Sequence, residues 1–283
     1  MTVDPILALE SLGYTEREAA FLYLVAIHSG HFVRRQFDYF TDRNKGALVM
    51  RFLEKARVAG HIEFLDYRQG WHVYHLFSKL IYRMLGDAES QHRRKKGDAH
   101  VRAQLMALDY VLENLEDHYL ESEAEKIDFF TETRGIAPEI FTGSDRKLFP
   151  LLASFPVSVA DRTRPAHSLV RFAFIDEGLA TTTKFLRFLA QSESLLRAVG
   201  NFELVYVSAS AFHFPAAKDA FWKRFSKAAP RSPRLFDGDT RSVAAEDRTP
   251  VHPRFTTLLL GYSYPRLQRS EVRGSIEGSR ISE

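Results

Sequence analysis

The chain has 283 residues, 45% of them apolar and 27% charged, with a formal net charge of +3 and no cysteine. These totals predict a soluble globular protein of about two domains, and they exclude wholesale disorder, disulfide frameworks and cysteine nucleophiles. The stretch MTVDPILALESLGYTEREAA lacks a basic leader followed by an apolar core, and no apolar run approaches the roughly 20 residues that span a bilayer, so a cytoplasmic location without a membrane partner is expected.

In chain order, Thr15 and Glu18 form a capping-box pattern ahead of an apolar helix that runs to about Ser29 and stops at Gly30. A short helix follows over Val33–Phe40, with Phe37 and Phe40 inward and Arg34, Arg35 and Gln36 on the other side. Thr41–Asn44 is a turn. A third helix covers about Lys45–Ala59, burying Leu48, Val49, Phe52, Leu53 and Ala56 at helical spacing and leaving Lys45, Arg51, Glu54 and Lys55 outside. Two alternating stretches, His61–Tyr67 and Trp71–Phe77, flank the tip Arg68-Gln69-Gly70 and predict a β-hairpin. A helix over Lys79–Leu85 closes this unit at Gly86.

Residues 87–100 read as an exposed linker carrying the basic run Arg93–Lys96. The next segment, to about residue 125, reads as an amphipathic helix with an acidic face that connects domains or pairs with a copy of itself. The second half reads as α/β. Strands are expected at Ile127–Phe130, Pro156–Ala160, Leu169–Ile175, Phe202–Ser208 and Thr256–Tyr262, with helices at Thr182–Val199 and Ala216–Ala228. Leu169–Ser208 is the clearest parallel βαβ crossover. Residues 229–253 are loop-like, and 266–283 read as a disordered tail.

The expected fold is therefore α+β, with four parts. These are a winged helix-turn-helix over residues 1–86, a helical linker over 87–125, an α/β domain with a small mixed sheet over 126–265, and the tail. Three helices followed by a hairpin is the winged-helix order, in which the third helix enters the major groove with the hairpin beside it. Arg43, Asn44, Lys45 and Arg51 are the candidates for base contact, since Arg reads guanine and Asn reads adenine. Arg34, Arg35, Gln36 and Lys55 suit backbone contact, as do Arg68 and Gln69 at the tip. The expected role is regulation of transcription or of mobile-element maintenance, with double-stranded DNA bound by a homodimer because DNA sites are often palindromic, and with the α/β half, or the acidic helix, used for dimerisation or partner contact. A winged helix also serves as a protein-interaction module, so an adaptor role stays open.

A metal-dependent nuclease is the enzymatic alternative. Hydrolysis of a phosphodiester needs carboxylates converging on a cation with a lysine nearby, and Asp161, Asp176, Glu177 and Lys184 are the residues on offer. That ligand set is incomplete, so no catalytic residue, cofactor or metal is assigned. His61, His72 and His75 on the hairpin are expected to be exposed and not ligands, and many of the 23 phenylalanines, which recur on helices, to fill the core, with base stacking by Phe or Tyr on a strand surface left open.

The element order and the segments FPVSV, VRFAFIDEG, KFLRFL and FELVYVSAS resemble the replication-relaxation family of mobile-element proteins over about residues 15–210. The resemblance implies a DNA-binding domain followed by a degenerate nuclease-like half. The chain departs from the nuclease pattern: Val157 follows Pro156 where Asp is wanted, and FAFIDEG lacks the lysine.

Overall fold

The computed structural model describes residues 4–41, 46–67, 71–142, 155–161, 163–178, 181–226 and 253–262. Asp4 caps a short helix, α1 (Pro5–Glu10), by accepting the Ile6 N–H at 2.8 Å. Thr15 and Glu18 form the expected capping box at the start of α2 (Glu16–His28), with the Thr15 N–H donating to Glu18 at 2.9 Å. Gly30 ends α2 at φ +72°, and an added Cβ would lie 2.4 Å from the His92 carbonyl oxygen. Only glycine fits that position.

The strand β1 (His31–Val33), not foreseen from the sequence, leads into α3 (Arg34–Phe40), and α4 (Gly46–Val58) follows. The hairpin is β2 (Ile62–Tyr67) and β3 (Trp71–Leu76), and β1 pairs antiparallel with β3 to give the order β1-β3-β2. α5 (Lys79–Met84) comes next. Phe21, Phe32, Phe37 and Phe52 interlock at the centre of these helices, with Phe37 and Phe52 stacked at 4.3 Å.

The expected linker is instead the middle of the molecule. Residues 90–93 dock against the sheet, where the His92 carbonyl meets His75 Nε2 at 3.2 Å. α6 (Asp98–Glu113) is buried along most of its length. Leu108 and Leu112 pack on the amino-terminal helices, while Val101, Leu105, Met106 and Val111 join Val33, Tyr67 and Val73 of one sheet to Ala173, Ile175, Val205 and Val207 of the other. An acidic face cannot be read off a helix covered on several sides, and no open face is left for pairing with a copy. Beyond Asn114, the acidic residues lie outside α6. Asp117 accepts from Ser158 Oγ at 2.8 Å and pairs with Arg171, and Glu121 accepts from the Tyr23 hydroxyl.

The second sheet has the order β4-β5-β6-β7-β8, made of β4 (His118–Tyr119), β5 (Val157–Val159), β6 (Val170–Asp176), β7 (Phe202–Ser208) and β8 (Arg254–Leu259). β6, β7 and β8 are parallel; β4 and β5 run antiparallel to their neighbours. The expected strand at Ile127–Phe130 is absent. Ser122 caps α7 (Glu123–Asp128), and a π-turn carries the chain to Thr133, with Phe130 stacked on Phe172. A short apolar run does not distinguish a strand from a buried helix end. α8 (Glu139–Thr142) is a single turn. The crossover helix α9 (Thr183–Val199) and α10 (Phe214–Phe225) cover one face of the sheet, and α6 covers the other. Burial on both faces is why FAFID and VYVS read as continuous apolar runs. Most of the described phenylalanines fill the cores, while Phe64, Phe77 and Phe212 are exposed.

Candidate nucleic-acid interface

α3 packs on α4, and α4 meets β2 of the hairpin. Arg34, at the first position of α3, is half exposed and pairs loosely with Asp38 at 3.6 Å. Its guanidinium lies at the start of α4, where a Cβ on Gly46 would be only 2.6 Å from Nη2. It also acts on the hairpin: burial raises the Tyr74 phenol, and the Arg34 charge opposes that rise. Arg51 is exposed on α4 and makes no ion pair among the described residues. Ala47, Leu48 and Met50 share the open side of α4 with it.

Three other expected contacts serve the fold instead. Gln36 is fully buried. Its oxygen accepts the Val33 N–H at 2.9 Å, and its nitrogen donates to the Leu105 carbonyl and to Asp109, both at 2.8 Å. Arg35 grips Asp109 with both Nη groups, at 2.8 and 2.7 Å, and lies 3.8 Å from the Tyr262 ring centroid. Burial raises the Asp109 carboxyl, and the Arg35 and Gln36 donors oppose it. Lys55 donates to Glu18 at 2.5 Å and to the Gly13 carbonyl at 3.1 Å, tying α4 to α2. These contacts tie all three side chains to the fold. Adjacent arginines on α3 thus have opposite fates, because successive helical residues lie about 100° apart and only one faces α6. Arg43, Asn44, Lys45, Arg68 and Gln69 lie outside the described residues.

The hairpin carries a feature that charge counting missed. On its α4-facing side, Phe32 stacks on Tyr74 at 5.3 Å, Tyr74 meets Phe64 at 5.7 Å, and Phe64 meets His72 at 5.0 Å. The column begins in the core and ends in solvent, with Phe64 46% exposed. The sequence signal was available, since Ile62, Phe64 and Asp66 alternate on one face of β2.

The histidine expectation fails for two of three residues. His72 is exposed. His61 is buried, with Nδ1 2.7 Å from the Tyr14 hydroxyl. His75 is buried, stacks on His31 at 4.3 Å and meets Glu63 at 2.9 Å. Burial, helped by the neighbouring His75, lowers His31 to about 3.

The carboxylates of the second half do not converge. β5 is antiparallel to β6, so Asp161 sits beside Ser168, beyond the opposite end of β6 from Asp176, roughly 25 Å away at strand rise. Asp176 accepts from the Tyr206 hydroxyl at 2.7 Å and the Gly178 N–H at 2.9 Å, and Lys184 pairs with Glu177. Among the described residues, no group of three or more His, Asp or Glu side chains is placed to hold a metal ion, and no helix is long and apolar enough to cross a membrane. Comparison of the chain with protein-family models, curated proteins and solved structures finds no match.

Proposed function

We propose that the amino-terminal unit is a winged helix-turn-helix that binds double-stranded DNA, with the protein acting as a regulator of transcription or of mobile-element maintenance. The observation that carries this reading is the succession α2, β1, α3, α4, β2, β3 closed by the sheet β1-β3-β2, with Arg34 half exposed on α3 and Arg51 exposed on α4. In such a unit α4 lies in the major groove, Arg51 reaches a base edge or a phosphate, and Arg34 meets a backbone phosphate. Arg43, Asn44, Lys45, Arg68 and Gln69 stay in the proposal on sequence grounds; Arg35, Gln36 and Lys55 leave it.

A homodimer belongs to the same reading, with an interface other than α6. The mobile-element setting follows from the resemblance to the replication-relaxation family. An anisotropy titration against duplex over a salt series tests the reading. Arg34→Ala, Arg51→Ala and Arg68→Ala are each expected to weaken binding and to lower the salt slope by about one. Unchanged affinity in all three would sink it.

A second reading, a protein-binding adaptor, is favoured by one observation. Leu48 and Met50 on the open side of α4 are 37% and 53% exposed, where a groove-reading helix carries polar groups. For an adaptor, the duplex titration is flat at every salt concentration.

A further inference from the structure

Resting on the DNA-binding reading, we infer that the aromatic face of the hairpin is a stacking surface for unpaired bases, so that the preferred ligand is a duplex that opens into single strand. In the register of the hairpin, Phe64 lies opposite Tyr74 and Asp66 opposite His72, and Phe32 of β1 flanks Tyr74. The rings therefore form one column from the buried Phe32 to the exposed Phe64 and His72.

The column cannot fold away into the protein. Its opposite face, Val33, Tyr67 and Val73, is buried against α6, which holds the ribbon from behind. Phe64 lies between Tyr74 and His72 and is still 46% exposed, and every nucleobase offers a π-face that can stack on it. Bases inside intact duplex have both faces occupied by their neighbours, so only an unpaired or terminal base can occupy the ring.

The charges around the column set the direction of the strand. Arg34 lies at the inner end beside Tyr74 and attracts a phosphate. Asp66 lies at the outer end, 3.6 Å from His72, and repels one. A strand leaving the groove beside α4 thus has its backbone held on the Arg34 side while its base crosses to Phe64.

The test compares a blunt duplex with the same duplex carrying an unpaired arm whose first unpaired base is 2-aminopurine. It uses the full chain and the variants Phe64→Ala and Phe64→Trp. The arm is expected to tighten wild-type binding roughly tenfold, the yield of one stacked base, and binding is expected to quench the 2-aminopurine. Phe64→Ala should remove both effects while leaving blunt-duplex affinity unchanged, and Phe64→Trp should keep both. Equal affinity for the two probes, or an arm preference that survives Phe64→Ala, overturns the inference and leaves duplex binding standing. Conversion of a dimer to a monomer by Phe64→Ala in sedimentation also overturns it, because the occupant of the face is then a second copy. If no probe binds at all, the DNA-binding reading falls and takes the inference with it.

Discussion

The two sheets of this protein handle their polar and aromatic groups in opposite ways. In the five-stranded sheet the central strands are covered on both faces, and several of its charged side chains are engaged: Asp176 by Tyr206, Glu177 by Lys184, and Arg171 by Asp117 and Glu203. In the three-stranded sheet only the back is fully covered, and the front runs out of the core, leaving Phe64 and His72 in solvent. Covered charges stabilise a fold, whereas exposed cations and rings on a stiff ribbon are free to meet a ligand. In the proposed reading the first half meets the ligand, while the second half packs on α6 through Ala173, Ile175, Val205 and Val207.

The sharpest way to break that contrast is Arg35→Ala. It strips the buried Asp109 of its bidentate partner, and the loss of an ion from such a pair costs about 3 kcal/mol or more. A large drop in chemical-denaturation midpoint is expected; an unaltered midpoint together with lost DNA binding would return Arg35 to the surface. Next is Asp176→Asn, which weakens the acceptor of the buried Tyr206 hydroxyl and the Gly178 N–H. A cost of about 1–2 kcal/mol is expected, with no Mg²⁺- or Mn²⁺-dependent cleavage of DNA before or after the change. Cleavage that Asp176→Asn abolishes would contradict that division of roles.

Acid sharpens the contrast further. His31 has a folded value near 3 against an ordinary value near 6.5, so the unfolded chain takes up its proton first. Its contribution is therefore complete above pH 6.5 and is lost progressively as pH falls toward 3. Urea midpoints measured down this range should decline, and His31→Phe should flatten the slope. A pH-independent midpoint in the wild type would place His31 outside the core. The smallest effect is expected for Arg57→Ala. Arg57 and Glu54 are both 60% exposed, and an ion pair in open solvent adds little. A melting temperature indistinguishable from wild type is expected.

Local chemistry was legible from the residues alone. Thr15 and Glu18 announced the start of α2, the alternation around the tip announced β2 and β3, and the apolar runs of β6 and β7 with the periodic α9 between them announced a parallel crossover. These signals act between residues close in the chain, through backbone hydrogen bonds and side-chain spacing. What only the tertiary structure decided was which side of each element is covered. Arg34 and Arg35 are the same residue type side by side, yet one is open and the other is locked on Asp109, 74 residues away. α6 seemed a linker with an acidic face until two sheets closed around it. Asp161 and Asp176 stood together as ligand candidates until the antiparallel pairing of β5 and β6 set them at opposite ends. Burial and convergence depend on contacts between distant segments, and no local pattern of residues encodes them.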